Sequence, residues 1–526
     1  MAAHLKSSDK DTCGTVSYRE GKVWLVGAGP GDFGLFTQKG DDVLSEAEVV
    51  VYDSLVGSEI LSRMPADAKK IDAGKRAGHH KKSQRQTNEI LLEEALKGNR
   101  VVRLKGGDPF LFGRGGEELE LLAKFDVPYE VVPGVTSAVS VPAYNGIPVT
   151  HRDFASSVHI ITGHRRAGAG YDINFRALAE AGGTYVFLMG LAALGDLMRG
   201  LLDGGISPDL PAAVLQQGTT ARQKKVLATV STIEEAAATA GLQAPAVIVV
   251  GEVCQLARDI SWSESLPLFG EKIVVTRPER NSSGLVKELK KLGAEVLCIP
   301  AIQTIPVSDA DRLSAIDRVF QKLEDYTMIV FTSPYGVERF FSLCREHGID
   351  VRAFAGKKLA AIGRATAGEL MSRGLFVDII PDQYESARLG RLICQSCRMG
   401  ENILIPRSSG GSEALVREIQ KAKNVTVLDL PIYDTVRGAD AGDFLRQEME
   451  SVTLVTFTSA STVQGFVSML PGYDCQTVTA VCIGKQTEAA AAACGMRTVT
   501  AKNASVEDMV ACILSYHKEM SECGLR

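Results

Sequence analysis

Short runs of β-branched and aliphatic residues alternate with longer amphipathic stretches along the whole chain. Clear examples are VWLVG at 23–27, VVVYD at 49–53, VVRLKG at 101–106, KIVVTR at 272–277 and TLVTFTS at 453–459. Alternation of strand-like and helix-like segments is typical of α/β domains with largely parallel sheets. Because the pattern restarts along the chain, it predicts at least two such domains in succession.

The best domain boundary lies at residues 261–271, SWSESLPLFGE. This segment is rich in Ser, Pro and Gly, and it follows the apolar run APAVIVVGEV at 244–253. We therefore predict a first domain over 21–262, a linker over 263–270 and a second domain over 271–526.

The second domain contains an internal repeat. FTSPYGVERF at 331–340 is echoed by FTSASTVQGF at 457–466, and AAIGRATA at 360–367 is echoed by AVCIGKQT at 480–487. Each copy reads as strand, turn, helix, strand, turn and helix, so the repeat predicts two matched lobes that face a cleft.

Two further segments, CIPAIQTIPV at 298–307 and LDLPIYDTV at 428–436, resemble each other. They flank the middle of the domain, and we predict that they form a two-strand hinge. The first lobe would then combine 271–304 with 434–526, and the second lobe would span 307–430.

Composition narrows the function classes. The chain has 526 residues and a formal net charge of −5, which gives no support to nucleic-acid binding. No apolar run is long enough to span a bilayer, and the polar residues 1–20 are predicted to be a flexible leader. The eleven cysteines are expected to be reduced thiols in the cytoplasm. Cys394 and Cys397 form a CxxC without a second pair, so no metal is expected.

Two glycine-rich segments are the strongest candidates for a ligand site. GAGPGD at 27–32 follows a strand but does not match the dinucleotide fingerprint, because the third glycine falls early and Pro30 occupies the turn. In VVRLKGGDPFLFGRGGEEL at 101–119, two Gly pairs bracket an apolar turn, which leaves few side chains to obstruct a bound molecule.

These segments, together with VVPGVTSA at 131–138, GIPVTHRD at 146–153 and IITGH at 160–164, resemble the tetrapyrrole methylases, in particular the uroporphyrinogen-III C-methyltransferases. The resemblance covers about residues 20–262. It implies two α/β subdomains, S-adenosylmethionine as cosubstrate and a homodimer formed through this half. It also implies cosubstrate contacts at nine positions: Pro30, Gly106, Gly107, Asp108, Leu111, Thr136, Ser137, Met189 and Gly218.

By the same resemblance, Asp53 is a general base and Lys75 a proton donor. Methyl transfer needs two bound molecules held in line, and a proton must then leave the tetrapyrrole, which a carboxylate in the cleft can accept. The alternative for Asp53 is an ordinary polar residue at a strand end, and the alternative for Lys75 is a solvated surface lysine.

The substrate carries eight carboxylates, and a basic stretch can steer it by long-range attraction. This stretch comprises Lys75, Arg76, His79, His80, Lys81, Lys82 and Arg85.

The second half, about 271–526, resembles the uroporphyrinogen-III synthases through VVTRPE at 274–279, PIYDTV at 431–436 and the repeated turns. This implies a two-lobed α/β fold that cyclises hydroxymethylbilane with inversion of its last ring, a reaction governed by orientation. Tyr433 would assist departure of the hydroxyl group. Carboxylates of the substrate would bind at helix N-termini near Ser333, Thr366, Ser459 and Thr487, unless these residues serve only as caps. Arg277 and Arg364 are further candidates.

The two resemblances concern consecutive reactions, from hydroxymethylbilane to uroporphyrinogen III and on to precorrin-2, in the sirohaem and cobalamin branch. The partners expected are small tetrapyrroles, with neither nucleic acid nor membrane. An alternative is a methylase for another corrin intermediate fused to a non-catalytic tetrapyrrole-binding module. A third reading, an NAD oxidoreductase, depends on the first glycine loop alone.

Overall fold

A computed structural model describes residues 21–74, 83–164, 173–277, 279–383, 385–438 and 442–523. The predicted leader, Lys75 and most of the basic stretch lie outside these ranges. The chain divides into two compact units. The first comprises Met1–Ile299, Ala441–Ala460 and Gly472–Arg526, and the second comprises Pro300–Asp440 and Ser461–Pro471. The domain limits given above remain predictions.

The first glycine-rich region belongs to a five-stranded parallel sheet with strand order β3-β2-β4-β1-β5. Its strands are β1 (Lys22–Gly27), β2 (Val49–Tyr52), β3 (Lys69–Asp72), β4 (Arg100–Lys105) and β5 (Tyr129–Val132). The helices are α1 (Gln38–Ser45), α2 (Ser58–Ser62), α3 (Gln84–Leu96), α4 (Gly115–Lys124) and α5 (Ser137–Tyr144). The central strands are buried on both faces, as their continuous apolar runs predict.

A second five-stranded sheet follows, with strand order β6-β7-β10-β8-β9. Its strands are β6 (Val158–Thr162), β7 (Thr184–Leu188), β8 (Pro211–Gln216), β9 (Lys224–Thr229) and β10 (Ala246–Val250), and its helices are α6 (Phe175–Ala181), α7 (Leu194–Asp203) and α8 (Ile233–Thr239). Only β6 and β7 pair in parallel, and the other three pairs are antiparallel. The prediction of a largely parallel sheet is wrong here, because the short connection from β8 to β9 allows a hairpin and parallel neighbours need a crossover.

The remaining residues form two more sheets. Their strands are β11 (Lys272–Val275), β12 (Glu295–Cys298), β13 (Ile302–Pro306), β14 (Met328–Phe331), β15 (Lys358–Ala361), β16 (Asn402–Ser408), β17 (Thr426–Arg437), β18 (Leu454–Phe457), β19 (Thr479–Cys482) and β20 (Arg497–Thr500). The helices are α9 (Glu279–Lys291), α10 (Ala310–Phe320), α11 (Pro334–Glu346), α12 (Arg364–Met371), α13 (Ser386–Ser396), α14 (Glu413–Ile419), α15 (Gly442–Met449), α16 (Ala460–Met469), α17 (Lys485–Ala493) and α18 (Val506–Glu522).

The third sheet lies in the first unit and has the order β12-β11-β18-β19-β20, with every pair parallel. The fourth lies in the second unit and has the order β13-β17-β16-β14-β15. It is parallel except at its edge, where β13 pairs antiparallel with β17 from Ile302↔Arg437 to Pro306↔Tyr433. This antiparallel pair joins the two segments predicted to form a hinge.

The internal repeat of the second half is confirmed as a structural repeat. The β14–α11 segment corresponds to β18–α16, and β15–α12 corresponds to β19–α17. Even the helix caps match, since Gly363 and Gly484 precede α12 and α17 with the same extended backbone, at φ −171° and −177°.

The predicted linker is part of a hydrophobic core. Leu268 is fully buried and packs in one cluster with Ile273 of β11 and Leu289 of α9. Its backbone N–H donates to the Leu292 carbonyl at 2.8 Å. The segment before β11 is therefore fastened to the third sheet.

Every helix within the described ranges is too short or too polar to cross a bilayer.

Candidate active sites

A cavity of about 590 Å³ lies between the first and second sheets. This volume is in the usual range for a small-molecule site. Its lining includes Asp53 and all nine positions predicted to contact a cosubstrate. The cavity is therefore the meeting point of residues that lie as far apart in the chain as Pro30 and Gly218. Their contact with a ligand remains a prediction.

The last residue of the GPGD loop is bonded to helix α5 and to the loop that follows β8 of the second sheet. The Asp32 carboxylate accepts a hydrogen bond from the Tyr144 hydroxyl at 2.7 Å, and its backbone N–H donates to Thr219 Oγ1 at 3.3 Å. Burial and the neighbouring carboxylate raise the pKa of Tyr144, so this phenol stays a donor. These bonds place Pro30 beside the loop that carries Gly218.

Asp108 shapes the second glycine loop. One carboxylate oxygen accepts the backbone N–H groups of Phe110 and Leu111 at 2.8 and 3.0 Å, and the other accepts that of Gly134 at 3.0 Å. Gly107 beside it has φ +68°, a conformation that favours glycine. The side chain of Asp108 is thus committed to the loop's own backbone, and the cavity faces that backbone.

Backbone strain is concentrated around this cavity. Of the seven non-glycine residues with positive φ in the described ranges, four line it: Phe112, Arg114, Met189 and Gln217. Such conformations cost about 1–3 kcal/mol each and persist where surrounding structure imposes them, commonly at functional sites. Met189 is also 56% exposed, which leaves its apolar side chain available to a ligand.

Asp53 directly follows β2, at the carboxyl edge of the first sheet. Its carboxylate accepts the Leu55 N–H at 3.0 Å, and the Gly106 N–H lies 3.3 Å from both oxygens. Arg103 Nη2 is 3.9 Å away. The side chain is about one quarter exposed, so it is held in place and still open to the cavity.

Beneath Asp53 lies a cluster of buried charges. Glu118 of α4 is fully buried and accepts hydrogen bonds through one oxygen from Lys105 at 3.0 Å, Arg103 at 3.3 Å and Gln84 at 2.9 Å. Burial, and then the charge of Arg103, lower the pKa of Lys105. Both cations share the Glu118 carboxylate, with Asp53 as a more distant counter-charge 3.9 Å from Arg103, and isolated buried charges are costly.

Arg103, Lys105 and Glu118 are not among the site residues predicted from the sequence. The signal was present in LKGGDPFLFGRGGEEL, since charged residues within a buried strand and on the inner face of the next helix need partners. Among the described residues, no group of three or more His, Cys, Asp or Glu side chains is arranged to hold a metal.

In the first unit, three predicted substrate-binding residues follow neighbouring parallel strands of the third sheet. Arg277 follows β11, Ser459 follows β18 and Thr487 lies in the helix after β19. Parallel strands end at the same edge, so the three residues share it. Burial lowers the pKa of Arg277.

In the second unit, Ser333 and Tyr433 meet. Ser333 Oγ lies 2.8 Å from the Tyr433 hydroxyl and caps α11 by accepting the Gly336 N–H at 2.9 Å. Tyr335 packs edge-on against the Tyr433 ring. Tyr433 is only 5% exposed, and burial raises the pKa of its phenol.

The suggestion that Thr366 and Thr487 act as helix caps is wrong. The helices begin two residues earlier, after Gly363 and Gly484, and both threonines are buried in the first turn. The extended glycine backbone allows the helix to start sooner than a Ser/Thr signal suggests. Their backbone N–H groups still lie in the first turn, where an anion can bind.

The repeat also identifies a residue that sequence reasoning missed. Arg364 and Lys485 are each the first residue of the helix after the capping glycine, and both are exposed. A cation at a helix N-terminus opposes the helix dipole, so it does not stabilise the helix. Within each unit, a cation at this position suits an anionic group at the carboxyl edge of that unit's sheet.

Comparison with known proteins assigns the two halves separately. The family model for tetrapyrrole (corrin/porphyrin) methylases matches residues 22–234, and the model for uroporphyrinogen-III synthase HemD matches residues 283–511.

Individual relatives agree. The porphyrin biosynthesis protein HemD of Ruminiclostridium josui is 43% identical over 93% of this chain and 97% of its own length. The uroporphyrinogen-III C-methyltransferase of Bacillus subtilis is 37% identical over 73% of this chain and 77% of its own length. The S-adenosyl-L-methionine-dependent uroporphyrinogen III methyltransferase of Methanosarcina barkeri is 49% identical over 45% of this chain and 93% of its own length.

We expect Glu118→Gln to destabilise the first unit by about 3 kcal/mol, because it removes the buried carboxylate that pairs with both Arg103 and Lys105 and leaves only Asp53, 3.9 Å from Arg103. Glu117→Gln is the matched control: it is adjacent on α4, half exposed and paired with exposed Arg114, so it should change stability by less than about 1 kcal/mol. Urea unfolding followed by circular dichroism measures both. Equal effects from the two substitutions would contradict a structural role for Glu118.

Proposed function

This chain belongs to the tetrapyrrole methylases over its first half and to the uroporphyrinogen-III synthases over its second, and from that premise we propose how its residues divide the work. It is a bifunctional enzyme of tetrapyrrole biosynthesis. In our proposal the second half closes hydroxymethylbilane to uroporphyrinogen III. The first half then methylates that product twice to precorrin-2, in the sirohaem and cobalamin branch.

The observation that carries the proposal is the cavity between the first two sheets. Its size, its glycine-rich walls and the strained Met189 suit a ligand that presses against backbone. S-adenosylmethionine, when bound, supplies the methyl group. The loop shaped by Asp108 and the helix N-terminus at Thr136 and Ser137 would hold the cosubstrate. Gly218 would contact it from another part of the cavity wall. Asp53 lies on the same cavity wall.

For methyl transfer, the tetrapyrrole ring carbon bonds the methyl group as the methyl–sulfur bond breaks, and a proton then leaves the ring system. Asp53 is the acceptor we propose for that proton, because it is fixed by two backbone N–H groups and yet open to the cavity. Arg103 and Lys105 support the loop ends beside it. A proton-donor role for Lys75 is retained from the family resemblance alone.

For cyclisation, Tyr433 is the donor we propose for the departing hydroxyl group. Because burial raises its pKa, the phenol stays protonated at neutral pH, so Tyr433 can donate a hydrogen bond to the departing hydroxyl group but cannot act as a base there. The 2.8 Å contact with Ser333 aims the hydroxyl group and supplies a route to replace the proton. In the second unit, the helix N-terminus at Arg364 would bind acidic side chains of the bilane, and the matching N-terminus at Lys485 in the first unit is chemically equivalent.

We also propose a homodimer formed through the methylase half, as is usual for methylases of this family, and a cytoplasmic location. The second suggestion is supported by the ten described cysteines, all of which are free thiols.

Product analysis tests the assignment. The purified chain is given freshly made hydroxymethylbilane with and without S-adenosylmethionine, and the tetrapyrroles are identified by chromatography and mass. We expect uroporphyrinogen III without the cosubstrate and a doubly methylated product with it. If only the uninverted isomer forms, the second half is a binding module; if uroporphyrinogen III is not methylated, the first half acts on another acceptor.

Asp53→Ala should lower the rate of methyl transfer about 100-fold or more, the contribution expected of a general base. The affinity for S-adenosylhomocysteine, measured by calorimetry, should stay within about twofold, because backbone groups and other side chains line most of the site. Asp42→Ala on exposed α1 is the matched control and should leave the rate unchanged. Full turnover by Asp53→Ala would remove the residue from the mechanism.

Tyr433→Phe should slow cyclisation about tenfold or more, since it deletes the proton donor and keeps the ring packed. Tyr326→Phe makes the same change in a half-buried tyrosine just before β14, at the opposite edge of the sheet from Ser333. The rate of uroporphyrinogen III formation should fall only in the first variant. Equal rates for both would exclude Tyr433 as the donor.

A further inference from the structure

Within the first unit, the third sheet contacts the methylase half at two segments that we call the two loops. One is residues 54–62, which include α2, and the other is residues 217–223. Strand β12 lies beside α2, and the contacts are made by four charged residues that we call the bracing cluster: Lys272, Lys290, Glu295 and Glu448. All four belong to the half assigned to cyclisation. Their partners belong to the half assigned to methyl transfer.

Lys272 is the centre of the bracing cluster. It is 2% exposed, and its Nζ lies 2.8 Å from Glu295 and 2.5 Å from Glu448. The same ammonium lies 3.3 Å from Ser58 Oγ at the start of α2, and that hydroxyl donates to Glu448 at 2.7 Å. A buried cation with two carboxylates has a well-defined geometry, so Ser58 is held firmly.

Two further contacts extend the support. Lys290 of α9 forms an ion pair with the buried Glu59, the next residue of α2. Glu295, on its other side, accepts the backbone N–H of Ala221 at 2.9 Å. Ala221 lies three residues after Gly218. One buried lysine therefore links α2 and the 217–223 loop.

Other contacts reach both loops: Val56, Ile60 and Leu61 are buried in a hydrophobic cluster of the first sheet, and the buried Gln223 donates to the Tyr144 carbonyl at 3.3 Å. Leu55 and Gln217 line the methylase cavity on one side. On the other side they line a second cavity, also of about 590 Å³, as do Pro30 and Pro245. Leu55 is 56% exposed, so side-chain packing, which normally fixes a loop, contributes little at that point. The bracing cluster supplies fixed points at both loops.

A core contact accompanies the polar ones. Phe444 of α15 packs against the hydrophobic cluster on one face of the first sheet, which includes Val56 and Ile60. The residues around Asp53 and those around Gly218 are thus both approached by elements from the second half.

We propose that Lys272, acting through Glu295 and Glu448, is a positioning residue for methyl transfer. The synthase half thereby completes the methylase site by holding the loops that carry Asp53 and Gly218. This inference rests on the proposed function of the cavity. It makes the fusion an integral part of the methylase, and not only a link between successive enzymes.

The test uses the full chain with Lys272→Met, which keeps the length of the side chain and removes its charge. Backbone hydrogen exchange should become faster over residues 54–62 and 217–223. The dissociation constant for S-adenosylhomocysteine should rise about tenfold, a typical size for coupling between sites. Methyl transfer should show a higher KM, and cyclisation should stay within about twofold of its rate.

Lys291→Met is the matched control, because that lysine neighbours Lys290, is 72% exposed and pairs only loosely with Glu288 on its own helix, at 3.7 Å. Should Lys272→Met fail to fold, Ser58→Ala removes the α2 contact and leaves both ion pairs of Lys272 intact. It should give the same local change in exchange, with a smaller loss of affinity.

Unchanged exchange and affinity in Lys272→Met, or in Ser58→Ala if the former does not fold, would overturn the proposal. So would a general loss of thermal stability without any local effect on the two loops. If the wild-type chain binds S-adenosylhomocysteine but does not methylate uroporphyrinogen III, the proposed function fails. The bracing role is then decided by exchange and affinity alone.

Discussion

Parallel strands deliver all the loops that follow them to one edge of a sheet, and every site in this molecule depends on that constraint. It brings Asp53, after β2, beside Gly106, after β4. It aligns Arg277, Ser459 and Thr487 along the third sheet and Ser333 with Tyr433 in the fourth. Residues from distant parts of the chain therefore meet without any local sequence signal that pairs them.

Two features characterise the methylase cavity: a cluster of buried charges beneath Asp53 and strained backbone at several lining residues. Below, Glu118 pairs with both Arg103 and Lys105 at the end of β4. Around the rim, Met189 and Gln217 keep left-handed backbone conformations that a relaxed loop would leave. Strain of this kind needs support from neighbouring elements. The loop after β1 supplies part of it, since the Asp32 N–H donates to Thr219 beside Gly218, and in our proposal the bracing cluster contributes through Glu295 and Ala221.

Duplication explains much of the second half. Two copies of strand, turn and helix put a capped helix N-terminus and an exposed cation at matching places in the two sheets. A tetrapyrrole precursor is a chain of similar acidic rings, so in the proposed function the repeated turns would meet similar acidic groups. Tyr433 has no counterpart in the repeat, because it lies on β17, outside the repeated strands. That asymmetry is consistent with one proton donor acting on one ring.

The sequence by itself determined the α/β class, the position and type of most strands, the repeat and the glycine-rich loops, because these follow from local periodicity and backbone freedom. Its family resemblance pointed to residues that the fold brings around one cavity. Tertiary structure alone decided the mixed pairing of the second sheet, the helix starts before Thr366 and Thr487, and the burial of Glu118 and Lys272. Strand order, capping by glycine and the pairing of buried charges each depend on partners far away in the chain, which no local pattern specifies.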